Sequence, residues 1–83
     1  MNVLYTPKAL SQLEELSRSD RSRILKKIDF FASQPDPFVF AKHLTGYDVY
    51  RFRIGNFRVL CEDRSDVLIV ALVAKRDGIY RDL

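Results

Sequence analysis

The chain has 83 residues, 47% hydrophobic and 30% charged, with a formal net charge of +3 and a pI near 9.2. That length fits one small domain over residues 1–83, near the lower limit for a self-sufficient core, and the composition excludes disorder. A single cysteine, Cys61, and a single histidine, His43, exclude an intrachain disulfide, a cysteine-based zinc site and paired-histidine acid–base chemistry; with no leader-like opening and no run near the roughly 18 apolar residues of a membrane span, a cytoplasmic protein with no membrane partner is expected.

Asn2 to Tyr5 reads as a first strand. Thr6-Pro7 then supplies a helix N-cap and a proline at the first helical position, where its missing N–H costs nothing. The first helix is predicted over Pro7 to Leu16, with Ala9, Leu10, Leu13 and Leu16 as its apolar stripe. Ser17 to Asp20 forms a short polar link. A second helix is predicted over Asp20 to Ala32, burying Ile24, Leu25, Ile28, Phe31 and Ala32 and leaving Arg21, Arg23, Lys26 and Lys27 on a solvated face suited at most to non-specific RNA contact. This helical hairpin needs a sheet to cover its apolar side. Two prolines in Gln34-Pro35-Asp36-Pro37 end the helix and favour an extended path, with Phe38-Val39-Phe40 returning to the core. Residues 41–48 approach the sheet, with Leu44 as an anchor and Gly46 as a turn residue.

Tyr50-Arg51-Phe52-Arg53-Ile54 alternates apolar and cationic residues with the period of a half-buried strand. Gly55-Asn56 suits a two-residue type II′ turn. That turn fixes the register: Ile54 opposite Phe57, Arg53 opposite Arg58, Phe52 opposite Val59, Arg51 opposite Leu60 and Tyr50 opposite Cys61. One face then holds the apolar residues, Cys61 among them as a buried structural thiol. The other holds Arg51, Arg53, Arg58 and Leu60. Like charges directly opposite are unfavourable by about 0.2–1 kcal/mol per pair, so the Arg53–Arg58 pair implies an anion between them.

A turn over Asp63-Arg64-Ser65-Asp66 follows, and the apolar run Val67 to Ala74 reads as a central strand covered on both faces. With Glu62 opposite Val67, Arg58 faces Ala71 and Leu60 faces Ile69. Ile69, Ala71 and Val73 then share the arginine face, and Leu68, Val70 and Leu72 the core face. The expected fold class is α+β: an N-terminal strand, an α-helical hairpin and a three-stranded antiparallel meander, the small sheet packed on two helices.

Three segments in this order are similar to the RelE/ParE superfamily of toxins: Lys42-His43-Leu44-Thr45-Gly46, then Tyr50 to Leu60, then Lys75-Arg76-Asp77-Gly78-Ile79-Tyr80-Arg81. The resemblance covers nearly the whole chain and is identified as RelE-like by the Arg76-to-Tyr80 spacing, which ParE-type toxins typically lack. It implies the toxin of a type II toxin–antitoxin system, an mRNA interferase that enters the 30S A site of the ribosome and cuts mRNA there. The 2′-hydroxyl attacks the adjacent phosphate without metal or cofactor. Arg51, Arg53, Arg58, Arg76 and Tyr80 match the family's catalytic positions, and Lys42, Lys75 and Arg81 are flanking substrate-binding candidates. Arginines suit a phosphorane with its added negative charge, but a guanidinium does not serve as a base. The base is left among Lys75, Tyr80, His43 and a ribosomal group. The resemblance also implies a RelB-like antitoxin, able to assemble with the toxin as a heterotetramer. The other readings are a ParE-like inhibitor of DNA gyrase, a non-catalytic RNA- or ribosome-binding module, and a basic face used chiefly to dock a protein.

Overall fold

Among the described residues, two capped helices and five strands are laid down in chain order: β1 (Asn2–Tyr5), α1 (Pro7–Glu14), α2 (Arg18–Ala32), a 3₁₀ turn (Pro37–Phe40), β2 (Lys42–His43), β3 (Tyr50–Ile54), β4 (Phe57–Arg64) and β5 (Val67–Lys75). This architecture belongs to a computed structural model that describes residues 1–44, 46 and 49–78. The strands form one sheet in the order β1-β5-β4-β3-β2, with β1 parallel to β5 and the other pairs antiparallel. The class is the expected α+β. The meander of three strands is extended by the two-residue β2 on one edge and by β1 on the other.

Both helices start where side-chain caps place them. Thr6 Oγ1 accepts from the Ala9 N–H, and Ser17 Oγ accepts from Asp20 N–H, so α2 begins at Arg18 rather than Asp20. The stripe of α1 is narrower than its pattern implies: Ala9 and Leu13 are buried and Leu16 is half-buried, but Leu10 is exposed. After α2, Asp36 caps Phe38 N–H and Pro37 occupies the first position of a 3₁₀ turn, so this segment curls where an extended path was expected. Phe38 returns to the core, against Tyr50 at 4.2 Å between ring centroids; Val39 is exposed, and Phe40, though exposed, rests one side of its ring on Phe31.

The β3–β4 register is the expected one in all five pairs. Gly55 has φ +57 and Asn56 is not left-handed, which matches the signs of a type II′ turn. The β4–β5 register differs. Ser65 and Asp66 both adopt left-handed backbone (φ 52 and 66), making a two-residue turn with Arg64 opposite Val67. Further along, the pairing steps from Cys61–Val70 to Leu60–Leu72, leaving Ala71 as a bulge. Arg58 therefore faces Ala74, not Ala71, and Leu60 faces Leu72, not Ile69. Past the bulge the parity inverts. Val73 joins the helix-side core with Leu68 and Val70, while Leu72 joins Leu60 and Leu44 in a second cluster beneath the arginine face.

Side chains of α1 satisfy the backbone that the bulge leaves out of the ladder. Thr6 Oγ1 donates to Ala71 O at 3.1 Å, and Gln12 Oε1 accepts from Val73 N–H at 2.7 Å. Thr6 thus caps α1 and closes the bulge at once. Thr6→Ala is expected to cost about 2 kcal/mol, roughly 1 for the cap and the rest for the stranded carbonyl. In a domain of this size that lowers Tm by about 10 °C. Thr6→Ser keeps the oxygen and should recover most of the loss in thermal denaturation; equal melting of Thr6→Ala and the parent would contradict this dual role.

Candidate functional site

The antiparallel register builds the site row by row. On the face away from the helices, Lys42 lies beside Arg51, Arg51 beside Leu60 and Leu60 beside Leu72. The next row toward the hairpin tip is Arg53, Arg58 and Ala74. Leu44, Leu60 and Leu72 are buried under this surface, with Val49 and Ala74 packed against them. An apolar floor thus carries Lys42, Arg51, Arg53 and Arg58 on one side of the sheet. Lys42 and Arg53 are exposed; Arg51 and Arg58 are half-buried. The small side chain of Ala74 lies next to Arg58, the relation expected of Ala71 but supplied by a residue three positions on.

Arg58 is held in place by the turn it follows. Its Nη1 donates to Gly55 O at 3.0 Å and to Phe57 O at 2.8 Å. This folds the guanidinium back over the β3–β4 turn. From the other side, Arg23 of α2 lies against the same turn: a Cβ on Gly55 would meet its guanidinium carbon at 3.2 Å. Glycine at this position therefore serves both the left-handed backbone and the close approach of Arg23. Arg23 also pairs with Asp20 at 3.3 Å. Arg23, Lys26 and Lys27 line a wide depression of about 590 Å³ with Ser19, Ser22 and Phe30, while Arg21 turns inward and donates to Leu16 O.

Lys75 and Arg76 gather at the hairpin tip. Arg76 N–H donates to Asn56 O at 2.9 Å, and Asn56, Lys75, Arg76 and Asp77 line a depression of about 240 Å³. The Arg76 side chain pairs with Asp77 at 3.6 Å, both well exposed. Tyr80 and Arg81 lie outside the described residues. His43 pairs with Tyr50 in the ladder and its ring lies 5.0 Å from the Tyr50 ring, on the face opposite the arginines. Cys61 is fully buried, and burial pushes its thiol well above the usual range, so it stays protonated and inert. Tyr5 is pushed up to about 12, first by burial and then by Asp29, and it too lies away from the arginine face. Among the described residues no cluster of three or more His, Cys, Asp or Glu side chains could hold a metal, and no helix is long and apolar enough to cross a membrane.

Phe40 is the residue of this surface that the sequence pattern did not mark. With Ala41, Lys42, Arg51 and Arg53 it lines a depression of about 220 Å³. The run Phe38-Val39-Phe40 reads as core, and only the 3₁₀ geometry turns its last ring outward.

A family model for the ParE toxin of type II toxin–antitoxin systems, parDE, matches residues 3–80. Among solved structures, a chain of the RelB–RelE antitoxin–toxin complex from Methanococcus jannaschii aligns at 25% identity and TM-score 0.77, over 96% of this chain and 98% of that one. The isolated RelE toxin of E. coli aligns at 19% identity and TM-score 0.74, over 99% and 98%. A chain of the RelBE2 toxin–antitoxin complex of Mycobacterium tuberculosis aligns at 23% identity and TM-score 0.69, over 90% and 96%. No curated protein matches the chain in sequence.

Proposed function

The chain belongs to the ParE toxin family of type II toxin–antitoxin systems, and from its arginine face and its likeness to a chain of the M. jannaschii RelB–RelE complex we propose that it is a ribosome-dependent endoribonuclease of the RelE type. The observation that carries the proposal is the Arg53–Arg58 pair, two cations directly opposite on an open sheet face. A toxin acting only by protein contact has no need of two cations in one cross-strand pair. A phosphodiester about to be cut does.

In the reaction proposed, the 2′-hydroxyl of an mRNA nucleotide attacks the phosphate on its 3′ side. The phosphorus–O5′ bond breaks, and the departing oxygen takes a proton. Arg51, Arg53 and Arg58 supply fixed positive charge where the phosphorane is more negative than the ground state, which favours the transition state over the bound substrate. Lys42 extends the row and holds the chain of phosphates. Arg76 flanks the site at the hairpin tip, and Tyr80 and Arg81 are proposed to contribute to the same substrate contacts. With His43 on the opposite face, and Lys75 paired with the core residue Phe57 of that same face, Tyr80 or a ribosomal group is left to move the proton. An antitoxin with an acidic, amphipathic segment suits the mixed cationic and apolar surface. The likeness to a chain of the M. jannaschii RelB–RelE complex supports such a partner.

The match to a ParE family model keeps one other reading in play, the gyrase inhibition by protein contact that a ParE-like toxin implies. Primer extension on mRNA bound to purified ribosomes separates the two. Addition of the protein is expected to produce new 5′ ends within the A-site codon. Intact mRNA together with gyrase-linked DNA breaks in expressing cells would replace the ribonuclease reading with the gyrase one.

A further inference from the structure

Phe40 closes the 3₁₀ turn and is 45% exposed. Single exposed rings are ordinary on protein surfaces. This one is held and aimed. It stacks on Phe31 with centroids 5.4 Å apart and planes 27° apart, and Phe30 meets it edge-on at 6.0 Å. Phe31 stacks in turn on the buried Phe52 at 4.8 Å. The orientation of Phe40 is thus set by the core rather than by solvent. The same ring borders the depression that Lys42, Arg51 and Arg53 line.

A fixed aromatic surface beside several cations is the combination that holds unpaired nucleic acid: the backbone follows the charges and a base lies on the ring. An acidic peptide would be served by the cations alone. An amphipathic helix would need a continuous apolar groove, whereas this depression offers one ring and one alanine among three cations. We propose that Phe40 is a nucleobase-stacking platform, taking the base of an unpaired RNA nucleotide whose phosphate lies on Arg51 and Arg53. The proposal rests on the ribonuclease reading for the choice of RNA, but its test reads binding and not cutting.

The chain contains no tryptophan, so Phe40→Trp places a single fluorescent reporter on the platform. The full chain is titrated with a short single-stranded RNA whose riboses are 2′-O-methylated, so that it cannot be cut. An abasic version of the oligomer and inorganic polyphosphate are titrated in parallel. Quenching by the base-bearing RNA and not by the other two is expected. Phe40→Ala and Phe40→Leu should weaken RNA binding about tenfold, while Phe40→Tyr and Phe40→Trp retain it. Leucine keeps the apolar contact with Phe31, so its loss of binding is not a folding defect. Equal quenching by polyphosphate, unchanged affinity of Phe40→Leu, or a response to an acidic peptide but not to RNA would each overturn the platform. If quenching occurs but ribosome-bound mRNA stays whole, the platform stands and the ribonuclease reading falls. If mRNA is cut by Phe40→Leu with unchanged KM, the platform falls and the ribonuclease reading stands.

Discussion

Arg58→Ala is expected to lower ribosome-dependent mRNA cutting by at least about 100-fold and to abolish growth arrest, with the fold retained. Removing one preorganised donor from a site of developing negative charge typically costs 10²–10³ in rate. Arg58 is such a donor by construction, since Nη1 is fixed by Gly55 O and Phe57 O before any substrate arrives. The stability effect is small because two terms oppose. The variant gives up two part-exposed hydrogen bonds, each worth about 0.5–1.5 kcal/mol. It also removes the repulsion from Arg53, about 0.2–1 kcal/mol. A Tm within about 10 °C of the parent is therefore expected, together with near-complete loss of activity. Arg58→Lys sharpens the result. It keeps the charge but loses the planar fork, so ribosome binding should survive while kcat falls. Full cutting by Arg58→Ala would remove this residue from the site, and a fall in KM-governed rates alone would make it a binding residue only.

The chemistry-bearing face was legible in the sequence because two independent signals agreed there. Strict alternation from Tyr50 to Ile54 gave the faces, and Gly55 gave a turn short enough to fix the register. Neither signal exists for β5. The run Val67 to Ala74 is apolar at every position, so it carries no parity, and the Ser65-Asp66 turn contains no glycine although both residues are left-handed. Aspartate tolerates that conformation through its short polar side chain, which is why a four-residue turn was the natural reading. The Ala71 bulge was equally hidden. What makes it possible is not in β5 but in α1 and its cap, where Thr6 donates and Gln12 accepts the hydrogen bonds the ladder loses. Leu72 and Val73 changed faces as a result, and with them the floor beneath the arginines. β2 was missed for a plainer reason: two exposed residues have no pattern to read.

The same logic links the core to the site. Phe52→Ala is expected to be the most destabilising single change on the arginine-bearing strands. Phe52 is buried at 1% exposure, stacked on Phe31 and within 6.2 Å of Phe38 between centroids. Truncating a core phenylalanine costs about 3–5 kcal/mol, a large share of the roughly 4–12 kcal/mol that a domain of this length can hold. A fall in Tm of more than about 12 °C is expected, with loss of toxicity through loss of folded protein. A tightly bound antitoxin would restore folding by mass action, about 2.7 kcal/mol at one hundred times its Kd. Phe52→Leu is more informative. It should cost about 1–2 kcal/mol and leave a folded chain, yet it removes the ring on which Phe31, and through it Phe40, is aligned. RNA affinity of Phe52→Leu should therefore drop toward that of Phe40→Leu, though Phe52 touches no part of the open face. Wild-type affinity in a folded Phe52→Leu variant would show that Phe40 holds its pose without the stack behind it.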